Sequence, residues 1–375
     1  MDIRIAVGNY YPKIHPRAFR ATELAKEFVR QGHRVTVICM SSEDGFDYEA
    51  YSLETGIKVI NYKILSGKRT AQVASQSSNG ILGRLKRFII NYFICGDLFR
   101  HSERISKVLG KLEGADMAIV LSTPFAVHYG FAKYVRRNGK PCFTILDSGD
   151  PFYYSKQTKR AIWFKYIEKR IYKCCDYLTI PTENAISLYS PIISKDKIKI
   201  IPQGFNMRNL KLYSGDFSGK VKIAYAGVFY WDIRNPEFLI RYLDQCKADY
   251  VFYLYMRFPD SQFDATIKKY PNFANRVIVT YNLPHDELLY KLSEMDFLVN
   301  VENLSNTQMP SKLIDYGMSK RPIFSCKEST FSPDKFDRFL NRNYTESYVV
   351  PVEKYNIEKI AGDFIALYNS SRMND

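Results

Sequence analysis

IRIAVGNYYPKIHPRAFRATELAKEFVRQGHRVTVICM (3–40) holds two short apolar runs with a helical pattern between them, and the architecture follows from that order. IRIAVG (3–8) is a buried-strand run, followed by a polar turn with Pro12 and Pro16. From Arg17 to Gln31, Ala18, Ala21, Ala25, Phe28 and Val29 recur at helical spacing with Leu24 beside them, and Gly32 supplies a C-terminal stop. RVTVICM (34–40) is a second strand. A strand, a helix and a strand in this order form a βαβ unit, which implies a parallel sheet. After the first strand stands only Gly8-Asn9-Tyr10, with no G-x-G-x-x-G, so the dinucleotide fingerprint is missing and a nicotinamide dehydrogenase is disfavoured.

Beyond residue 40 the alternation continues. Strands are expected at MAIVLS (117–122), CFTILD (142–147) and YLTIP (177–181), with a helix around Phe125 to Arg137, and KIKIIPQGF (197–205) closes the first half. A new apolar strand begins at KIAYAG (222), followed by YVFYLYM (250–256), RVIVTY (276–281), a helix at 285–294, FLVNV (297–301) and PIFS (322–325). Ile357 to Asn369 is periodic enough for a terminal helix, which in a two-lobed protein could cross back to the first lobe. The pattern reads as two successive α/β sheets, with domains at 1–200 and 201–352 and the terminal helix in 353–375. A chain of 375 residues is long enough for two such cores.

Seven cysteines without a CxxC pair and five scattered histidines without HxxxH give neither a disulfide framework nor zinc-ligand spacing. A reducing cytoplasm fits. No charged n-region with an apolar h-region opens the chain, and no apolar run approaches the roughly 18 residues needed to span a bilayer. The net charge of +15 is uneven: residues 1–200 hold 32 Lys/Arg against 18 Asp/Glu, while the remainder is nearly balanced. Two basic stretches, GRLKRFIINYFICGDLFRHSERISK (83–107) and KQTKRAIWFKYIEKRIYK (156–173), mix cations with Phe, Tyr, Trp and Ile. Such segments suit either an anionic membrane surface or helices that pack their aromatics inward beneath a solvated basic rim. Without a helix-turn-helix, zinc finger or RNP-type motif, no nucleic-acid partner is expected.

NTQMPSKLIDYGMSKRP (306–322) reads as a polar loop feeding a short helix. Pro310 suits the first turn, and Ser311 and Lys312 follow it beside the free backbone N–H groups. A helix N-terminus carrying a lysine attracts phosphate, and Asp315, one turn behind Lys312, is placed to accept from ribose hydroxyls. The plain alternative is an ordinary amphipathic helix.

Several segments in order resemble the GT-B glycosyltransferases of the glycosyltransferase family 4 type, which build bacterial surface polysaccharides. They are the opening strand and its proline-bearing turn, the helix ending LAKEFVRQGHRVTVI (24–38), DSGDPF (147–152), IIPQGFN (200–206), KIAYAGVF (222–229), LPHDELLYKLSEMDFLV (283–299) and MPSKLIDYGMSKRPIF (309–324). The resemblance implies two Rossmann-like, doubly wound parallel-sheet domains facing a central cleft, with acceptor in the N-terminal domain and nucleotide sugar in the C-terminal one. It implies a retaining, metal-independent hexosyltransferase with no cofactor, since the nucleotide sugar is a substrate. The acceptor is expected to be a glycan or lipid-linked glycan, met by a peripheral protein on the inner face of the cell membrane. The expected donor-binding set is Thr307, Gln308, Ser311, Lys312, Asp315 and Arg234.

The chain departs from the family at three places. Of the two glutamates often found eight positions apart, Asp315 takes the second place and Thr307 the first. The glycine-rich turn after the first strand is replaced by KIHPRAFR (13–20), where Arg17 or Arg20 could serve instead. In VFYWDIRNP (228–236) Arg234 is the nearest candidate for a diphosphate ligand. Lys312 and Arg234 are expected to offset charge on the departing diphosphate, which makes them catalytic candidates together with Asp150. Asp150, between a strand end and Pro151, either orients or deprotonates the acceptor or caps a turn. His15, in the first strand-to-helix turn, joins Arg17 on the acceptor side or is structural. Two rival readings stay open: a sugar-nucleotide 2-epimerase, and a non-catalytic sugar-nucleotide-binding homologue.

Overall fold

A computed structural model describes residues 1–13, 15–41, 43, 45–65, 92–93, 95, 98–154, 159–229, 231–232, 234–302 and 312–373. The chain divides into two compact units, one of residues 1–206 with 354–375 and one of residues 207–353. Thr307, Gln308, Pro310 and Ser311 lie outside the described residues, as do residues 83–91, 94, 96 and 97 of the basic stretch 83–107.

The first unit runs β1 (Asp2–Val7), α1 (Pro16–Arg30), β2 (Arg34–Cys39), α2 (Tyr48–Thr55), β3 (Lys58–Asn61), α3 (Leu98–Val108), β4 (Met117–Leu121), α4 (Ala126–Asn138), β5 (Phe143–Asp147), α5 (Trp163–Tyr172), β6 (Tyr177–Ile180) and β7 (Ile198–Ile200). All seven strands are parallel, in the order β3-β2-β1-β4-β5-β6-β7. Each central strand is apolar on both sides because both faces of the sheet are covered. Ala6, Ile38, Ala118, Val120, Leu146 and Leu178 face a core closed by α3, α4 and α5. Ile3, Ile5, Val37, Ile119 and Ile145 face the other core, closed by α1 and by the terminal helix.

α1 begins where the sequence dictates. His15 caps it by accepting from the Arg17 N–H, Pro16 occupies the first turn, and Gly32 at φ +82° follows its end. Gly8, at the end of β1, has no room for a side chain: a Cβ there would stand 2.3 Å from Pro124 Cδ. That close approach lies between β1 and β4, where the strand order reverses. In this unit β3 and α2, the latter capped by Asp47, have no counterpart among the sequence expectations.

The second unit runs β8 (Val221–Ala226), α6 (Glu237–Gln245), β9 (Tyr250–Met256), α7 (Ser261–Ile267), β10 (Val277–Tyr281), α8 (His285–Ser293), β11 (Phe297–Val301), α9 (Lys312–Met318), β12 (Ile323–Cys326) and α10 (Pro333–Leu340). Its five parallel strands lie in the order β10-β9-β8-β11-β12. Phe297 and Phe324 pack edge-on against Phe336 and Phe339 of α10 on one face. On the other, Ala224, Ala226, Leu298 and Ile323 meet Leu292, Leu313 and Tyr316 of α8 and α9.

The chain then returns to the first unit through α11 (Ile357–Arg372). Ile357, Ile360, Ala361, Phe364 and Tyr368 of α11 enter the core shared with α1. Backbone bonds from Phe205 N–H to Tyr355 C=O and from Ile357 N–H to Phe205 C=O fix its start.

Candidate active site

In open parallel sheets, ligands gather beyond the carboxyl ends of the strands where the strand order reverses. In the second unit that point lies between β8 and β11, and α9 is fastened across it. The Tyr316 hydroxyl accepts from the Ala226 N–H at 2.8 Å and donates to the Val299 carbonyl at 3.1 Å. One turn earlier on α9, Lys312 lies against the end of β8. Its Nζ stands 4.1 Å from the centre of the Tyr225 ring, and Gly227, at φ +128°, brings backbone rather than side chain against its stem. The ammonium is buried and has no hydrogen-bond partner among the described residues. Burial, followed by the neighbouring Arg234 guanidinium, pushes its pKa well below that of an ordinary lysine. A dry ammonium beside a second cation, with one aromatic face as company, has no counter-anion among the described residues.

Asp315, on the following turn of the same helix, is half-buried and accepts from His285 Nε2 at 2.9 Å. The hydrogen bond to Asp315 raises the His285 pKa above the ordinary imidazole value, against the effect of burial, and Asp286 adds to the rise. The bond occupies one carboxylate oxygen, leaving the other to receive donors from a ligand. The structure therefore brings Lys312, Arg234 and Asp315 together at one strand-order reversal and adds His285 to them.

The first unit treats its candidates differently. Arg17 donates through Nε to the Ser122 carbonyl at 2.6 Å and through Nη2 to the Asp147 carbonyl at 2.8 Å and carboxylate. Arg20 makes two bonds of 2.8 Å to the two Asp147 oxygens and a third of 3.0 Å to the Ile201 carbonyl. The Thr179 hydroxyl adds a fourth donor to Asp147. Burial alone would raise the Asp147 carboxyl, but Arg17 and Arg20 beside it hold it well below the usual range. Both arginines offered as substitutes for a glycine-rich turn are thus engaged in tying α1 to β5 and to the segments after β4 and β7. His15 is occupied as well, since its Nδ1 accepts from the Arg17 N–H at 3.2 Å. Burial and Arg17 push its pKa down, which keeps it neutral as an acceptor. Asp150 is exposed, one loop beyond β5, where its backbone carbonyl accepts from the Ser148 hydroxyl at 3.1 Å.

The sequence profile described as Glycosyltransferase Family 4 matches residues 19–209, half of the chain. The chain belongs to glycosyltransferase family 4. No curated protein matches the glycosyltransferase in sequence. Among solved structures, sucrose-phosphate synthase from Thermosynechococcus elongatus superposes with a TM-score of 0.64 at 13% identity, covering 100% of both chains. Anabaena HepE in complex with UDP-glucose gives a TM-score of 0.56 at 11% identity, covering 100% of this chain and 99% of that one. A Listeria monocytogenes protein described as a UDP-N-acetylglucosamine 2-epimerase gives 0.57 at 11%, covering 100% and 97%. At these identities the likenesses show the fold alone.

Three features of the glycosyltransferase escaped the sequence reading. His285 was within a quoted segment, yet its partner Asp315 lies 30 residues away and nothing in LPHDELL announces the pair. Tyr225 reads as one more apolar strand residue. Asp147 opens the quoted DSGDPF, but only the folded chain shows that it, rather than Asp150, collects the arginines.

Proposed function

We propose that the glycosyltransferase takes a nucleoside diphosphate sugar as donor and passes the sugar, with retention at the anomeric carbon and without a divalent metal, to a lipid-linked glycan of a polysaccharide pathway. The observation that carries this reading is the buried, unpartnered Lys312 ammonium, with Arg234 beside it, at the strand-order reversal of the second unit. A diphosphate supplies the anion for which the Lys312 ammonium has no partner among the described residues. As the glycosidic bond to the diphosphate breaks, charge grows on the leaving oxygen, and two preorganised cations stabilise it without waiting for solvent to reorient. Asp315 receives the ribose hydroxyls on the oxygen that His285 leaves open, while Thr307, Gln308 and Ser311 complete the donor site. Asp150 orients the acceptor hydroxyl and takes its proton. No protein nucleophile is assigned. HepE, in complex with UDP-glucose, supports a nucleotide-sugar donor for this fold.

The test is a thermal-shift panel of UDP-, GDP-, ADP- and dTDP-sugars on the full chain, with Asp315→Ala as control. One nucleotide is expected to raise the melting temperature, and the variant to lose that rise. Lys312→Ala should slow transfer by roughly 10² to 10³, equivalent to about 2–4 kcal/mol of barrier. Unchanged turnover in that variant removes Lys312 from the mechanism, and turnover abolished by EDTA removes the metal-free reading. Product analysis separates the rivals: a 2-epimerised sugar nucleotide means an epimerase, and binding without any product means a non-catalytic homologue.

A further inference from the structure

The surface of α5 carries a pattern that the donor chemistry does not use. Ile162, Trp163 and Tyr166 are 55%, 41% and 62% exposed, and Lys169, Arg170 and Lys173 follow them on the same side. At 100° per residue these six positions fall within an arc of about 120°. The opposite side of the helix, with Phe164, Ile171 and Tyr172, is buried in the core. The apolar half of the stripe is broadened by Phe93, whose ring centre lies 5.2 Å from that of Trp163, and by Phe99 of α3, both exposed. α3 adds its own exposed basic row, Arg100, Arg104 and Lys107, at i, i+4 and i+7. No acidic residue on α5 is exposed. Its one carboxylate, Glu168, is buried and accepts the Phe152 and Tyr153 N–H groups. Glu103 on α3 is taken by Lys133 and Arg137 of α4.

We propose that this α3–α5 face of the first unit docks on an anionic lipid surface, with Ile162, Trp163 and Tyr166 entering the headgroup boundary and the two basic rows lying against the headgroups. Trp and Tyr settle at membrane–water interfaces because their rings are apolar and their N–H or O–H is wet. A short apolar band continued by cations along one helix side is the geometry of an in-plane interfacial helix. A protein-binding core would exclude lysine, which such interfaces deplete. The inference deepens the reading of a lipid-linked acceptor and takes its role from that reading, though its geometry stands apart from it.

The experiment sediments the full chain with vesicles of 40% phosphatidylglycerol in phosphatidylcholine, and with phosphatidylcholine alone. Binding is expected only to the anionic vesicles and is expected to weaken at high salt. Each basic residue near such a surface contributes about fivefold in partitioning, so the triple variant Lys169→Glu, Arg170→Glu, Lys173→Glu should bind about 100-fold more weakly or worse. The same charge change in the second unit, Arg241→Glu, Lys247→Glu, Lys268→Glu, controls for net charge and should change binding only a few-fold. The chain has two tryptophans, so Trp231→Phe leaves Trp163 as reporter, and its emission should shift to the blue on anionic vesicles. Absent binding, equal loss in both triple variants, or unchanged Trp163 emission overturns the proposal. A Trp163 shift on a single-stranded oligonucleotide but not on vesicles overturns it in favour of nucleic acid. Donor thermal shifts on the same samples keep the two readings separable: a donor shift without vesicle binding defeats only this inference, and the reverse defeats only the donor site.

Discussion

Lys312 is a group that the protein would hold more cheaply as an apolar one. Its ammonium is dry and, among the described residues, the charge beside it is a like one, so the folded state resists its proton. Because the folded pKa is depressed, the unfolded chain binds more protons between that value and 10.5, and the lysine's destabilising effect is greatest below the depressed value. Lys312→Met, which keeps the stem and removes the charge, should therefore stabilise the free protein by about 1–4 kcal/mol while slowing transfer by roughly 10² to 10³. Differential scanning calorimetry with and without donor checks both halves: the variant should melt higher alone and gain nothing from donor. His285 gives the opposite sign. Its pKa is raised from 6.5, so the stability it draws from Asp315 is complete below pH 6.5 and is lost as pH rises through the folded value. A pH series of melting temperatures should show that decline in the wild type and not in His285→Ala. Lys312 and Asp315 were legible in the sequence because a helix start places i and i+3 on one side. The Asp147 cluster was not, because its arginines are separated from it by 130 and 127 residues and only the sheet brings them together.

At the scale of elements, what could be read was what the two faces of a buried parallel sheet force on the sequence. YVFYLYM, an uninterrupted apolar run, and FLVNV, broken only by Asn300, became β9 and β11 with the expected limits. β3, whose KVIN is exposed at Lys58 and only partly buried thereafter at the sheet edge, has no such run and went unread. KIKIIPQGF promised a longer strand than Ile198–Ile200, and Pro202, lacking an N–H, helps explain why pairing does not continue. α11 was legible from its period alone, yet its packing is a matter of close fit. A Cβ on Gly204 would stand 2.4 Å from Ile357 Cδ1, and Phe364 is wholly buried with the Arg20 guanidinium 5.7 Å from its ring centre. Phe364→Ala should cost about 3–5 kcal/mol. In urea unfolding of the full chain, that loss should shift the transition of the first unit and leave that of the second in place, although residue 364 follows the whole second unit in sequence.

At the scale of the molecule, charge and connectivity divide along the same line. The basic excess belongs to the half that carries the aromatic stripe of α5, while the donor candidates sit in the nearly neutral half. The second unit is one continuous segment with its own sheet and two cores, whereas the first is built from both ends of the chain. Residues 207–353 expressed alone should give a cooperative melt. Residues 1–206 alone should not, unless a peptide of residues 354–373 is added to supply α11, and circular dichroism of the three samples decides it. The split first unit also sets an order in time. Its N-terminal sheet leaves the ribosome with the face that α11 will cover still bare, and it stays so while the 147 residues of the second unit are made. At about 5–20 residues per second that is an interval of roughly 7–30 s. During synthesis, the half that comes first is therefore the half that finishes last.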